Sequence, residues 1–284
     1  MGGSGTARSP ARPPRWRSHL LGLLEAALLL GVFLVILQAV LGISLTDAEI
    51  WTAFAFPSGR LGPLFSGLLG TLGYLAIVLP LGTAVGFLWG WARLSRHRVL
   101  SWPAGFLVEM LRGVPPIVLV IFAYLFGASI LPRSWNPLGS ALLLAAVALA
   151  LHTAAYQAEI FRAGFQSVPT GQIEAAQSLG MSGPKVMARI ILPQALRLSL
   201  PPLGNELATV IKDTSILGAV GALELFSSAG DFLGRPGVLG RIPWVLAVWV
   251  IVAGVYLIVT FAVTRGLRVI EQRLRVPGLE GMAA

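Results

Sequence analysis

Long apolar runs alternate along the chain with short segments that are polar or rich in glycine and proline. A helix of about 20 apolar residues crosses the hydrocarbon core of a bilayer. Runs of this kind predict spans at residues 20–41, 67–91, 115–131, 138–161, 198–217 and 243–264. The third run is short, and prolines stand at its start, so we expect its helix to begin earlier and to bend near those prolines.

The segments between the apolar runs are the predicted tails and loops. The first run exceeds the apolar core of a secretory signal, about 7–15 residues, so we expect an uncleaved spanning helix. We expect residues 1–19 to form a basic, disordered cytoplasmic tail. The remaining predicted connections are an external loop, a tight turn, a polar segment and a Gly-rich connection, at 42–66, 132–137, 162–197 and 218–242.

Composition and charge support a membrane protein with a defined orientation. Hydrophobic residues make up 56% of the chain and charged residues only 12%, whereas soluble domains are about a quarter charged. The net charge of +9 would suggest nucleic acid in a soluble protein, but here the arginines flank apolar runs. With a cytoplasmic N-terminus, the inside segments hold sixteen Lys and Arg and the outside segments four. This bias predicts cytoplasmic termini and a cytoplasmic polar segment.

The polar segment carries the strongest internal pattern of the chain. It predicts two short helices separated by a break at Gly180, which can close the first helix in a left-handed conformation. Thr170 is the predicted N-cap of the first helix and Ser182 that of the second. Pro184 is expected in the first turn of the second helix, and Pro193 is expected to end it. Pattern alone equally allows an amphipathic loop on the membrane surface and a docking site for another protein.

The order E-A-A, three residues, G, nine residues, I, one residue, L-P resembles the cytoplasmic coupling loop of permeases in binding-protein-dependent ABC importers. In this sequence, Ala175 and Ala176 share a predicted helical face with Leu179. The side chains of this face are small enough to let another protein approach closely. All positions of the motif are matched, by Glu174, Ala175, Ala176, Gly180, Ile190, Leu192 and Pro193.

The resemblance implies an all-α polytopic membrane helix bundle in the cytoplasmic (inner) membrane. It implies a five-helix permease core at 67–275, with the coupling loop at 166–193, and leaves 20–41 as an extra N-terminal transmembrane helix and 276–284 as a tail. The family's partners are two ABC ATPase subunits that bind ATP and Mg, a second permease that is identical or homologous, and an external substrate-binding protein. The family works by alternating access, and the coupling loop inserts into a groove on the ATPase.

The fifth predicted span carries charged and polar residues, which are costly inside a membrane and face a cavity or a partner. Helical spacing predicts one face with Asn205, Thr209 and Lys212, and a neighbouring face with Glu206 and Asp213. Two interpretations stay open. These groups line the substrate path, or Lys212 pairs with an acidic neighbour to hold the bundle together. The span resembles the polar amino-acid branch of these permeases through residues 201–206 and 212–215, so Thr214 and Ser215 join the candidate pathway.

The fourth predicted span adds His152, Tyr156 and Glu159, which share a helical face at steps of four and three. Residues 155–162 resemble the same branch of permeases, as does Arg112-Gly113-Val114-Pro115 before the third span. Val114 stands where the family has threonine. A lone histidine in a membrane is more often a packing residue than a ligand, and no ligand spacing indicates a metal.

The chain offers no sequence evidence of enzyme activity. It has no G-x-x-x-x-G-K-[ST] phosphate loop, and neither of its two lysines follows a glycine. We therefore expect no cofactor in this chain and ATP hydrolysis in a separate subunit. The alternatives are an importer permease for another small solute, an ion-coupled secondary transporter using Glu206, Lys212 and Asp213, and a membrane scaffold, which would gain little from buried charge.

Overall fold

The structure is a computed structural model that describes residues 62–130, 137–236, 238–240 and 242–274, with isolated helical positions between 27 and 39. The predicted tails, most of the predicted first span and nearly all of the predicted external loop lie outside the described residues. The α-helices that follow residue 61 are α1 (Pro63–Ala92), α2 (Arg98–Gly113), α3 (Pro116–Ile130), α4 (Pro137–Gln166), α5 (Thr170–Ser178), α6 (Gly183–Val186), α7 (Leu192–Asp213), α8 (Leu225–Leu233) and α9 (Ile242–Leu274). A π-helical turn, Met187–Ile191, joins α6 to α7, and a 3₁₀ helix, Thr214–Val220, follows α7.

The described helices form a membrane bundle, as the apolar runs predicted. Three of them, α1, α4 and α9, are individually long and apolar enough to cross a bilayer. Two further crossings arise if each bent helix pair counts as one. The pair α2 and α3 bends by 104°, and the unit from Gly183 to Val220 meets α8 at 49°. An all-α polytopic fold is thereby confirmed.

Helix α1 packs closely along α4 through glycines that recur on one side of α1. Gly82, Gly86 and Gly90 are buried there, and a Cβ built at Gly90 would lie only 2.7 Å from the carbonyl oxygen of Ala158. Side chains larger than hydrogen would therefore separate the two helices. This contact lets the alanine-rich face of α4 become the centre of the bundle, with Ala150 fully buried.

The break between α2 and α3 lies at the prolines, as the sequence predicted. Val114 is extended, with φ −104° and ψ 133°, because the ring of a following proline disfavours the helical conformation in the residue before it. Pro116 then begins α3. The bend leaves Arg112 and Gly113 at the end of α2, where they line a cavity.

The Gly-rich connection predicted at 218–242 contains a packed helix, which the sequence analysis missed. Helix α8 buries Leu225, Ala229 and Phe232 against α1 and α9. Its N-terminus is capped by Glu224, whose carboxylate accepts hydrogen bonds from the backbone N–H groups of Phe226 (2.7 Å) and Ser227 (2.6 Å). A helix of only nine residues is too short to give a distinct hydropathy signal, so the pattern resembled a loop.

The fifth predicted span, 198–217, was wrong at both ends. Helix α7 begins at Leu192, and the 3₁₀ helix continues the chain to Val220. Pro201 and Pro202, which we expected either to bend or to start this helix, lie inside α7. Pro193 does not end a helix but is the second residue of α7, directly after the π-helical turn.

Candidate functional site

The coupling loop turns sharply after α5 at Gly180. Gly180 has a φ of +80°, a left-handed conformation that costs an ordinary residue about 1 kcal/mol or more. The N–H of Gly180 donates to the carbonyl of Gln177 (2.9 Å), and the N–H of Met181 donates to that of Ala176 (3.1 Å). This pair of bonds is the Schellman arrangement that satisfies carbonyls at a helix end. The predicted left-handed role of Gly180 is confirmed.

Other local predictions for this loop were wrong or only partly right. Thr170 is the first residue of α5, the N-cap position falls to Pro169, and no side chain caps this end. Ser182 does occupy the N-cap of α6, but its hydroxyl makes no capping hydrogen bond. Ala176 is buried, whereas Ala175 and Leu179 are exposed, so these three residues do not share one environment. Ala176 is the one buried residue of α5.

The inner side of the coupling loop is fixed to the ends of the membrane helices. The Phe87 ring of α1 packs at 5.4 Å from that of Phe161 and at 5.9 Å from that of Phe165, both on α4. Met187, Ile191 and Leu192 pack against this aromatic group. The amide of Gln194 also donates to the side-chain oxygen of Gln172 at 2.7 Å, which ties α5 to the start of α7.

The outer side of the coupling loop is open. Leu179 is 85% exposed, so almost its whole side chain is open to a partner. Glu174 and Ala175 are exposed on the same helix. Among the described ion pairs, none includes the Glu174 carboxylate. The later motif positions Ile190, Leu192 and Pro193 are half-buried in the π-helical turn and at the start of α7.

A polar cavity of about 440 Å³ lies at the bend between α2 and α3. Residues from four helices, α2, α3, α4 and α7, converge on it, which is a usual arrangement of a small-molecule site. Acidic, basic, hydroxyl and aromatic side chains all contribute. Its lining is Arg112, Gly113, Val114, Pro115, Pro116, His152, Tyr156, Glu206, Thr209 and Asp213.

The structure divides the candidate residues of the fifth span differently from the predicted faces. Thr209 lines the polar cavity with Glu206 and Asp213, whereas the sequence analysis grouped it with Asn205 and Lys212. Lys212 and Ser215 line a separate, more apolar side cleft of about 540 Å³ beside α9. No ion pair among the described residues joins Lys212 to either acidic neighbour.

The remaining two candidates of the fifth span lie outside both cavities. Asn205 is exposed, and its carbonyl accepts a hydrogen bond from the Thr209 hydroxyl at 3.3 Å. Thr214 is fully buried, and its hydroxyl donates to the carbonyl of Ile211 at 2.7 Å. That bond closes the last turn before the 3₁₀ helix. In the described part of the chain, no group of three or more His, Cys, Asp or Glu residues could hold a metal ion.

Glu159 is the centre of an ion cluster at the edge of the polar cavity. Its carboxylate contacts Arg93, lies 3.6 Å from a guanidinium nitrogen of Arg112, and accepts two bonds from Arg162 at 2.7 and 2.9 Å. We call Arg93, Glu109, Arg112, Glu159 and Arg162 the Glu159 cluster, since Arg93 also lies 3.6 Å from Glu109. Glu159 thus faces arginines, while His152 and Tyr156 face the cavity with rings 5.0 Å apart.

Sequence reasoning did not place the arginines of the Glu159 cluster in the site. Arg112 lies with its Cζ 5.1 Å from the centroid of the Tyr156 ring, in cation–π geometry, and lines the polar cavity. Two signals were available in the sequence. Arg112 stands in the Arg-Gly-Val-Pro element, and Arg162 follows Glu159 at a spacing of three, which pairs charges on a helix.

A bundle of apolar helices, a helical loop with an open outer side and a polar cavity between helices are features compatible with a membrane transport protein. Residues 79–276 match the family described as binding-protein-dependent transport system inner membrane component. The chain belongs to this family and is a permease subunit of an ABC importer.

Several named permeases are similar to this chain over most of their length. The L-cystine transport system permease protein TcyB of Bacillus subtilis (strain 168) is 35% identical over 74% of this chain and 86% of the relative. The probable glutamine ABC transporter permease protein GlnM of the same organism is 36% identical, over 73% and 89%. The octopine transport system permease protein OccM of Rhizobium radiobacter is 35% identical, over 80% and 89%.

Solved structures give the same fold. The chain aligns with a crystal structure of an amino acid ABC transporter with histidines at a TM-score of 0.62 and 29% identity, covering 74% of this chain and 94% of that one. It also aligns with the MetNI methionine ABC transporter in an inward-facing conformation at a TM-score of 0.58 and 23% identity, covering 73% and 95%. The second likeness shows the fold alone.

Proposed function

We propose that this permease moves a polar amino acid across the cytoplasmic membrane by alternating access, driven by a separate ATPase that docks on the coupling loop. The observation that carries the proposal is that one side of this loop is packed against the membrane helices while the other side is exposed. Its inner side is fixed by the Phe87 group and by Gln172, while Leu179 projects outward almost fully exposed. An element with this build can transmit force from a partner into the helices.

Docking on the coupling loop follows from its chemistry. Leu179 supplies an apolar anchor. Ala175 and Gly180 are small, so they leave room around Leu179 for a groove on the ATPase to close over the loop. A Cβ built at Gly180 would meet nothing within 4 Å in this chain, so space there is available to a partner. Two ATPase copies then bind ATP and Mg and hydrolyse the ATP, and we expect no cofactor site in this chain.

The polar cavity is the proposed substrate site. Glu206 and Asp213 offer negative charge for an ammonium group, and Arg112 offers a planar donor for a carboxylate. Thr209, His152 and Tyr156 add hydrogen-bonding groups. The relatives named for cystine, glutamine and octopine all carry substrates with an amino-acid head group, which supports a polar amino acid as the class of substrate.

The rest of the assembly follows the family. We propose a second permease, identical or homologous, and an external substrate-binding protein that delivers the amino acid. The excess of arginine and lysine on one side supports cytoplasmic termini and a cytoplasmic coupling loop. The proposed organisation keeps the permease domain at 67–275 and an added N-terminal helix at 20–41.

Affinity purification of the tagged permease from its own membranes tests the docking proposal. We expect an ABC ATPase to co-purify, and we expect the variant Leu179→Asp to lose it while the permease still elutes as a single peak. Leu196→Asp, which changes an exposed leucine on α7, is the matched control and should retain the ATPase. If Leu179→Asp retains the ATPase, the ATPase docks on a different surface.

A further inference from the structure

Helix α2 carries an apolar face that no described element covers. Val99 is 84% exposed, and Trp102, Phe106 and Met110 are exposed on the same side of the helix. The opposite side is buried through Ala104, Val108 and Leu111. Trp102 and Phe106 stack on each other, with ring centroids 5.8 Å apart.

The contacts of α2 show that it runs across the end of α1 rather than along it. Near its start, Leu100 lines a cleft together with Leu88 and Trp91 from the last turns of α1. Eleven residues after Arg98, Glu109 lies 3.6 Å from Arg93, which directly follows α1. Eleven helical residues rise about 16 Å. A helix parallel to α1 could not keep both its start and Glu109 at the same end of α1.

The bend after α2 agrees with this arrangement. Helix α3 leaves α2 at 104°, so α2 lies close to the membrane plane if α3 crosses the bilayer. A polar stripe runs beside the exposed apolar face, at Arg98, Ser101, Glu109 and Arg112, with helical spacing. An apolar face beside a polar stripe along a whole helix is typical of a helix at the membrane–water interface.

Charge at the start of α2 indicates the kind of surface it meets. Arg96 and Arg98 are exposed there, next to the exposed Val99 and Trp102. Arginine beside tryptophan and aliphatic side chains matches a lipid interface, where the aromatic ring sits at headgroup level and the guanidinium binds phosphate. In the cytoplasmic leaflet, the groups that can pair with two arginines are the headgroups of anionic phospholipids.

We propose that α2 is an interfacial helix that lies in the plane of the cytoplasmic leaflet, with its apolar face in lipid and Arg96 and Arg98 on anionic headgroups. Its far end carries Arg112, which lines the polar cavity. The lipid contact therefore fixes one end of a helix whose other end reaches the substrate site. The leaflet rests on the proposed orientation, but the in-plane placement does not depend on transport.

Spin-label depth measurements test the placement. The chain contains no cysteine, so Val99→Cys, Phe106→Cys and Met110→Cys each carry a single label without background. The transporter complex is reconstituted in vesicles of phosphatidylcholine and phosphatidylglycerol. We expect oxygen to reach all three labels, and we expect all three labels to lie at the same shallow depth in the bilayer. Leu257→Cys and Val269→Cys on α9 are the controls, and their depths should differ by about 18 Å if that helix spans the membrane.

Two outcomes would overturn the placement. A depth that changes by about 16 Å from Val99 to Met110 would mean that α2 crosses the membrane. Labels that neither oxygen nor a water-soluble nickel reagent reaches would mean that protein, such as a second permease or the ATPase, covers this face. Neither outcome bears on whether the coupling loop binds an ATPase, so the proposed function can stand or fall separately.

The headgroup contact has its own test. We expect Arg96→Gln with Arg98→Gln to lower the preference of the complex for spin-labelled phosphatidylglycerol over phosphatidylcholine about twofold or more, since each basic residue adds attraction to an anionic leaflet. Arg235→Gln removes an exposed arginine far along the chain, beside Phe232, and should leave the preference unchanged. An unchanged preference in the double variant would refute the headgroup contact.

Discussion

The guanidinium of Arg112 is held between an aromatic ring and a carboxylate. Its Cζ lies 5.1 Å from the centroid of the Tyr156 ring, and one of its nitrogens lies 3.6 Å from Oε1 of Glu159. Both partners come from α4, one turn apart, while Arg112 comes from the end of α2. The bend at Val114 and the face of α4 together therefore set where this cation meets the polar cavity.

Replacing Arg112 tests the role of that cation in substrate binding. We expect Arg112→Gln to raise the KM for amino-acid uptake about tenfold or more, because charge-assisted hydrogen bonds contribute about 1.5–3 kcal/mol. The maximal rate should change less. Arg112→Lys keeps the charge but loses the planar pair of donors, so its KM should be intermediate. Uptake kinetics in reconstituted vesicles measure both values, and a wild-type KM in Arg112→Gln would remove this residue from the site.

Glu159 is expected to stabilise the fold more than its neighbour Glu109. Glu159→Gln leaves three arginines without their shared carboxylate, and Glu159 is only 20% exposed. We expect a loss of about 2 kcal/mol, below the range for fully buried pairs because water still reaches the cluster. Glu109 is 74% exposed and lies 3.6 Å from Arg93, so Glu109→Gln should change stability by less than about 0.5 kcal/mol. Thermal unfolding in detergent compares the two, and equal losses would contradict the ranking.

Substitutions at Gly180 distinguish an effect on backbone conformation from an effect on ATPase docking. Asparagine tolerates a left-handed conformation, so Gly180→Asn should fold normally, whereas Gly180→Ala should cost about 1 kcal/mol locally. Gly180→Asp should also fold, since a Cβ there meets nothing within 4 Å, but its charge would enter the ATPase groove. We expect it to abolish ATP-driven uptake without loss of folded protein. Normal uptake by this variant would argue against docking at the Schellman turn.

Two glycines on α1 form a matched pair for packing. A Cβ at Gly70 would lie 1.9 Å from the carbonyl oxygen of Leu223, whereas one at Gly73 would meet nothing within 4 Å. We expect Gly70→Ala to destabilise the permease by several kcal/mol, because α1 and the segment before α8 must separate. Gly73→Ala should be neutral or stabilise by up to about 1 kcal/mol through helix propensity. Melting temperatures of the two variants, measured side by side, decide this, and similar values would contradict the close packing.

Hydropathy predicted the class of fold because a bilayer imposes one length and one polarity on every crossing. It could not predict α8, since that helix is short and depends on Glu224 and on partners from α1 and α9. It also misjudged Pro193, which was expected to end a helix but lies within α7. Tertiary packing tolerates prolines that local rules would place at helix ends.

The site was predictable where the pattern is local and unpredictable where it joins distant helices. The left-handed turn at Gly180 depends on a few consecutive residues, and its sequence signal was sufficient. The polar cavity combines Arg112 of α2 with residues of α4 and α7. Helical periodicity also placed Thr209 on the wrong face, because small differences in rotation decide which of two adjacent faces lines a cavity.

The continuous helical segment from Gly183 to Asp213, called the helical rod here, is long enough to act as a lever. It runs without interruption from the coupling loop through the π-helical turn and α7 to Asp213, a length of roughly 45 Å. A tilt of about 5° at its Gly183 end would move Glu206 and Asp213 sideways by about 3 to 4 Å. Under the proposed docking of an ATPase on the coupling loop, a small movement of the ATPase would therefore be enough to shift these two carboxylates.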